Sequence, residues 1–162
     1  MKIFFVTGID TNVGKTIISA ILANKLKADY WKPIQSGDLD NSDSMKIRNY
    51  LKKIYVHPEK YNFRMPLSPH ASSKIDNVEI SIDQIKIPST NNNLIIEGAG
   101  GLMVPLNQNE LMIDLIESLC VEVILVSKHY LGSINHTLLS IEALKQRNIM
   151  IKGIIFNGKE NF

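Results

Sequence analysis

The chain has 162 residues, 44% of them hydrophobic and 21% charged, with a formal net charge of +2. That balance describes one ordinary globular domain with enough apolar side chains for a core, and it excludes a disordered chain. The basic residues are scattered, which gives neither a nucleic-acid nor an anionic-membrane footprint, and no apolar run approaches the roughly 18 residues that cross a bilayer.

Lys2 to Thr7 is a near-continuous apolar run of strand length, as expected of a central parallel strand covered on both faces. It is too short for a signal-peptide core. The loop that follows is bracketed by Gly8 and Gly14, and Lys15-Thr16 opens a helix. This is the pattern of a phosphate-binding loop: backbone N–H groups face the phosphates, the lysine reaches the outer ones, and the Ser/Thr hydroxyl holds Mg²⁺. The spacing departs from the simple rule, which would place the first glycine at Ile9 rather than Gly8.

Ile17, Ile18, Ile21, Leu22 and Leu26 recur at helical spacing, with Lys25 and Lys27 in the last turn. Ala28 to Lys32 reads as a short strand halted by Pro33, and Gln35-Ser36-Gly37 as a turn at its carboxyl end, where open α/β sheets bind ligands. Asn41, Ser42 or Asp43 can cap a helix with Met45, Ile47, Tyr50, Leu51 and Ile54 at its apolar positions. Met65 to His70 falls in an irregular loop rich in proline, and Ile80 to Ile87 in a short amphipathic helix.

Leu94 to Ile96 is a buried strand ending in Glu97-Gly98-Ala99-Gly100-Gly101. An acidic residue closing an apolar strand is the arrangement of a second Mg²⁺-associated carboxylate, and the glycines let backbone approach a ligand closely. Leu111 to Leu119 is a helix, Cys120 a core thiol, Val121 to Ser127 a strand, Ile134 to Gln146 a helix with Ile134, Leu138, Ile141 and Leu144 inward, and Ile149 to Phe156 a last strand. A lone cysteine suits a reducing cytoplasm. Strands alternating with helices predict an α/β fold, a doubly wound, mostly parallel sheet of the P-loop NTPase type, spanning 1–162 as one domain. Lys32 adds a second lysine at a strand end, which points to an anion beyond the nucleotide.

Gly8-Ile-Asp-Thr-Asn-Val-Gly-Lys-Thr16, Lys32-Pro-Ile-Gln-Ser-Gly37, Asn41-Ser-Asp43, Ser68-Pro-His70, Glu97-Gly-Ala-Gly-Gly-Leu102 with Pro105-Leu106, and Leu131-Gly-Ser-Ile-Asn-His136 together resemble the dethiobiotin synthetase family, block by block and in the family's order. The resemblance implies an ATP-dependent ligase of biotin biosynthesis that closes 7,8-diaminononanoate and CO₂ into dethiobiotin through a carbamate and a carbamic-phosphoric anhydride. It implies that Lys15 and Lys32 neutralise the carbamate and the transferring phosphate, and that Thr11 and Ser36 hydrogen-bond the carbamate. Thr16, Asp43 and Glu97 would hold Mg²⁺. Asn12, Val13 and Gly14 would cradle ATP, and Asn157 would read the adenine edge. Gly98, Gly100 and Gly101 would approach the diamine, with Leu131 and Asn135 reaching its carboxylate from the partner subunit of a homodimer.

Asp10 would support the loop, and neither His70 nor His136 is assigned acid or base work. The family commonly has Thr at the position of Ile9 and an acidic residue at that of Asn12. Its members usually continue through a further strand and helix that help close the adenine pocket, which this sequence does not supply. Two alternatives stay open: a partitioning-type P-loop ATPase switch, against which the absence of a lysine early in the loop speaks, and a ligase related to cobyric acid synthesis.

Overall fold

The computed structural model describes residues 1–158; residues 159–162 of the expected domain lie outside that range. The N-terminal run forms β1 (Ile3–Gly8), buried from Phe4 onward. It pairs on one side with β5 (Leu94–Gly101) and on the other with β6 (Glu122–Lys128). Strand β2 (Asp29–Trp31) extends the sheet beyond β5, and β7 (Ile151–Asn157) extends it beyond β6. The order is β2-β5-β1-β6-β7, and every pairing is parallel.

Parallel neighbours need crossovers, and helices supply most of them. They are α1 (Lys15–Leu26), α2 (Asp43–Tyr50), α3 (Pro69–Ile75), α4 (Met112–Leu119) and α5 (Ser133–Gln146). The strand period of two sorts the core into two layers. Phe4, Val6, Tyr30, Ile95, Ile124 and Val126 face one cluster, which includes Ala20 and Ala23 of α1 and Ile47 of α2. Phe5, Trp31, Leu94, Ile96 and Val123 face the other, with Ile113, Leu115 and Ile116 of α4 and Leu144 of α5. At the amino end of β2, buried Asp29 accepts hydrogen bonds from Thr90 at 2.6 Å and Asn92 at 3.0 Å, which anchors that edge strand.

Several local expectations are corrected. Gln35 and Ser36 are not a turn; they belong to β3 (Ile34–Ser36), paired in parallel with β4 (Tyr61–Phe63), a short strand just ahead of the stretch expected to be irregular. The segment Met65 to His70 is irregular only as far as Ser68, because α3 starts at Pro69, a favoured first helical position. No helix spans Ile80 to Ile87. Only a 3₁₀ turn at Ile82–Gln84 forms, with Ile80 and Ile85 buried on either side. Isoleucines are stiff in helices, and Pro88 disfavours helical backbone at Ile87.

Helix faces differ as well. In α1 the small side chains of Ser19, Ala20 and Ala23 are buried, whereas Ile17 and Ile21 stand 47% and 49% exposed. Small residues let the helix backbone approach the sheet, which turns the larger ones outward. In α5 the inward residues include Ser133, Thr137 and Leu144, and Ile134 and Leu138 are exposed. The helix docks through polar contacts, Thr137 Oγ1 lying 2.9 Å from Ser127 Oγ on β6. Cys120 is exposed, because it adopts left-handed backbone at the carboxyl cap of α4.

Of the three residues that could cap α2, Ser42 does so: its hydroxyl accepts from the Met45 N–H at 3.3 Å, leaving Asp43 in the first turn. Ser42→Ala removes that cap and should lower unfolding free energy by about 1 kcal/mol. Urea denaturation followed by circular dichroism measures the loss.

Candidate functional site

The carboxyl ends of β1, β2 and β5 open on one cleft of about 700 Å³. Its walls carry Thr11, Asn12, Gly14, Lys15, Thr16, Lys32, Ser36, Asp43, Glu97 and Gly100, which the sequence reading had scattered over four motifs. At the amino end of α1, Gly14 takes φ +95°, and no side chain among the described residues caps the first-turn N–H groups. An exposed helix N-terminus with free N–H groups favours an anion. A side chain at Gly14 would collide with Asn157, whose Nδ2 donates to Val13 O at 2.8 Å and so ties the end of β7 to the loop.

Asp10 braces the loop as expected. Its carbonyl accepts from Lys15 Nζ at 2.9 Å, and its carboxylate accepts from the Thr11 N–H at 2.7 Å. Lys15 is buried, and burial pushes its ammonium down to about 8, with Lys32 adding to the effect while Glu97, Asp43 and Asp10 oppose it.

Glu97 is 1% exposed, and both oxygens of its carboxylate accept hydrogen bonds. Oε1 accepts from Thr16 Oγ1 at 2.8 Å and from Lys32 Nζ at 3.4 Å, and Oε2 accepts from Tyr30 Oη at 2.9 Å. Lys32, itself buried, also donates to Asp43 Oδ2 at 2.7 Å. Burial alone would push the Lys32 ammonium down, but the two carboxylates outweigh it and hold the group above its ordinary value. For Asp43, burial pulls upward and is outweighed by Lys32 and Lys46, so its carboxyl lies below the usual range. The Tyr30 phenol is pushed well up, by burial first and by Glu97 next.

The Ser36 hydroxyl is buried on this wall without a hydrogen-bond partner among the described residues. Gly100, at φ +67°, lines the cleft near Thr11, and a Cβ there would come within 2.7 Å of Val104 Cγ2, so both the backbone conformation and the packing of Val104 require a glycine. Other expected residues lie elsewhere. Val13 is buried behind the loop, and Gly98 is packed against Phe5, where an added Cβ would come within 2.7 Å. Gly101 lines a second, mainly apolar hollow with Met103, His136 and Leu139. Leu131 and Asn135 are exposed near the start of α5, away from the cleft wall.

Three residues had no site role in the sequence reading. Tyr30 sits two positions before Lys32, which follows the end of β2, and both side chains reach Glu97, as residues two apart in an extended chain can. Lys46 lies one helical turn after Asp43 and reaches its Oδ1 at 3.2 Å. Gln35 bridges β3 to α2, its Nε2 donating to Gly37 O at 2.9 Å and its Oε1 accepting from the Asp43 N–H at 3.4 Å.

Among the described residues, no cluster of three His, Cys, Asp or Glu side chains could cage a metal by itself. The Thr16 hydroxyl and the Asp43 and Glu97 carboxylates line the same cleft, a set of oxygen donors of the kind that suits Mg²⁺. That ion is ordinarily held by one or two carboxylates plus phosphates and water.

The family model of the AAA domain matches residues 2–161. The ATP-dependent dethiobiotin synthetase BioD of Christiangramia forsetii is 57% identical, over 99% of this chain and 78% of that protein. The proteins of the same name from Cytophaga hutchinsonii and Chlamydia pneumoniae are 54% and 51% identical, over 99% and 98% of this chain and 79% and 72% of their own lengths. Among solved structures, a ParA family ATPase from Chlorobium tepidum superposes with a TM-score of 0.58 at 16% identity, covering 96% of this chain and 73% of that one. The last likeness concerns the fold alone.

The depressed Lys15 ammonium makes phosphate binding pH-dependent. Free Lys15 loses its proton as pH rises through about 8. A bound polyphosphate favours the charged form and draws the proton back. Binding of a nonhydrolysable ATP analogue near pH 8 should therefore take up about half a proton, and affinity should fall at higher pH. Calorimetry in two buffers of different ionisation enthalpy measures the uptake.

Proposed function

The chain belongs to the ATP-dependent dethiobiotin synthetase family, and from that premise we propose that its cleft joins 7,8-diaminononanoate and CO₂ into dethiobiotin, releasing ADP and phosphate. This is a step of biotin biosynthesis. The observation that carries the proposal is Lys32, buried between Asp43 and Glu97 next to the phosphate loop and to the unpartnered Ser36 hydroxyl. A nucleotide site needs the loop and its lysine; a second buried cation and an idle hydroxyl on the same wall answer to a second anionic reactant.

In this reading one amine adds to CO₂ and loses a proton, giving a carbamate. A carbamate oxygen attacks the γ-phosphorus of ATP, and the bond to the departing ADP oxygen breaks. The second amine then attacks the carbamoyl carbon, phosphate leaves, and the ring closes with loss of a proton. The protein's share is positioning and charge stabilisation. Lys15 faces the phosphates. Lys32, Thr11 and Ser36 hold the carbamate, and Gly100 gives the diamine a bare backbone to lie against. Thr16, Asp43 and Glu97 would hold Mg²⁺, which when bound neutralises charge on the β- and γ-phosphate oxygens. Asn157, anchored beside the loop through Val13 O, would meet the base.

We further propose a homodimer. Leu131, Ile134, Leu138 and Leu139 form an exposed apolar surface at the start of α5, which a second copy would cover while Leu131 and Asn135 reach its substrate. No helix among the described residues is long and apolar enough to cross a membrane, and with a single free cysteine the cytoplasm is the compartment proposed.

Supplied with the diamine, bicarbonate and MgATP, the protein should form dethiobiotin. Lys15→Ala and Lys32→Ala should each lower that rate roughly 10²–10³-fold, whereas Lys32→Ala should largely spare affinity for a nonhydrolysable ATP analogue. Equal loss of nucleotide affinity in both contradicts the division of roles. For the dimer, Ile134→Asp combined with Leu138→Asp should convert the protein to a monomer in sedimentation velocity, and an unchanged sedimentation coefficient would sink the α5 interface.

A further inference from the structure

We propose that Tyr30 is a positioning residue that restricts Glu97 to one cleft-facing oxygen and thereby sets the preference of the site for Mg²⁺ over larger divalent cations. The inference rests on the assignment of Glu97 to the metal made above.

Tyr30 lies in register with Ile95 on the neighbouring strand, so Glu97, two residues further along β5, stands diagonally ahead of it on the same face of the sheet. Its side chain is 0% exposed and sits in the layer beneath α1 with Phe4, Ile47, Val56 and Ile95. Packing fixes the ring, and the ring fixes where the hydroxyl points. That hydroxyl donates to Glu97 Oε2 at 2.9 Å.

The two carboxylate oxygens are thereby made unequal. Oε2 is turned toward β2 and spent on the phenol, while Oε1 lies with Thr16 Oγ1 at 2.8 Å and Lys32 Nζ at 3.4 Å. A carboxylate that offers one oxygen suits a small ion with strict octahedral geometry. Ca²⁺ takes more ligands and readily accepts both oxygens of one carboxylate. Groups that orient a ligating side chain contribute strongly to affinity, and losing one typically costs roughly 10–100-fold in metal binding. Thr16 and Lys32 alone would leave the carboxylate free to rotate about its own axis and present both oxygens.

Tyr30→Phe deletes the hydroxyl and keeps the ring. Mn²⁺ bound in the presence of a nonhydrolysable ATP analogue is followed by electron paramagnetic resonance and competed with Mg²⁺ or Ca²⁺. In the variant, Mg²⁺ should compete roughly tenfold less well, with Ca²⁺ unchanged or improved, so that the ratio of the two constants moves toward Ca²⁺. Ile95→Val, a packing change in the same layer, should leave the ratio where it is. If Tyr30→Phe is unfolded alone, the titration is run in trimethylamine N-oxide, which favours the folded state. A wild-type ratio in folded Tyr30→Phe, or the same change of ratio in Ile95→Val, overturns the inference. Glu97→Gln separates this from the underlying assignment: Mn²⁺ binding as tight as wild type there removes Glu97 from the metal altogether, whereas weakened binding there with a wild-type ratio in Tyr30→Phe removes only the role of Tyr30.

Discussion

A carboxylate buried at 1% exposure in the middle of a parallel sheet is the constraint around which this cleft is built. An isolated ionised carboxylate there would be very costly, and only paired charge and hydrogen bonds make the position tolerable. Glu97 obtains its three partners from two different elements: Thr16 from α1, and Tyr30 and Lys32 from β2 and the residue that ends it. Satisfying one side chain therefore brings the helix after the phosphate loop and the edge strand to fixed positions. Lys32 extends the chain of dependence to Asp43 and α2, and Gln35 ties α2 back to β3.

Parallel topology does the rest of the positioning. With β1 between β5 and β6, the loop after β1 and the continuation of β5 emerge side by side, and Gly8 pairs with Gly101 beyond a shift in register. The shift lies between Val6 and Gly8, beside the glycine that stands one place earlier than the simple phosphate-loop rule would have it. The glycine-rich end of β5 stays in strand conformation as far as Gly101, so its backbone forms a wall of the cleft. Only part of that stretch faces the cleft: Gly98 serves contact with Phe5, while Ala99 and Gly100 line the cavity.

The phosphate loop, Lys32 and Glu97 were legible in the sequence because each breaks a local pattern: glycines where a strand meets a helix, and charges at the ends of apolar runs. The centre of the sheet was legible because β1, β5 and β6 are nearly continuous apolar runs buried on both faces, whereas β7, at the edge, is partly exposed along its length. The faces of α1 and α5 were not. Periodicity finds the large apolar side chains, but beside Ile18 α1 meets the sheet with Ser19, Ala20 and Ala23, and beside Leu144 α5 does so through Ser133 and Thr137, leaving Ile17, Ile21, Ile134 and Leu138 outside. Tyr30 was missed because a tyrosine in an apolar strand looks like core. It is core by burial, and only its partner shows that its hydroxyl is spent on the site.

The two lysines of the cleft show what a lysine in a buried site reports. Both are largely removed from water, and burial opposes the charge of each. Lys32 has Asp43 at 2.7 Å and Glu97 at 3.4 Å, and its ammonium is held above the ordinary value. Lys15 is bonded to a neutral carbonyl, the same carboxylates reach it only through space, and its ammonium falls to about 8. The first charge already has its counter-ions inside the protein; the second does not. An anion arriving at the open end of α1 supplies what Lys15 lacks, whereas an anion arriving at Lys32 must share it with Asp43 and Glu97. A site with one satisfied and one unsatisfied lysine is thus asymmetric before any ligand enters, and the uncompensated charge lies at the loop end of the cleft.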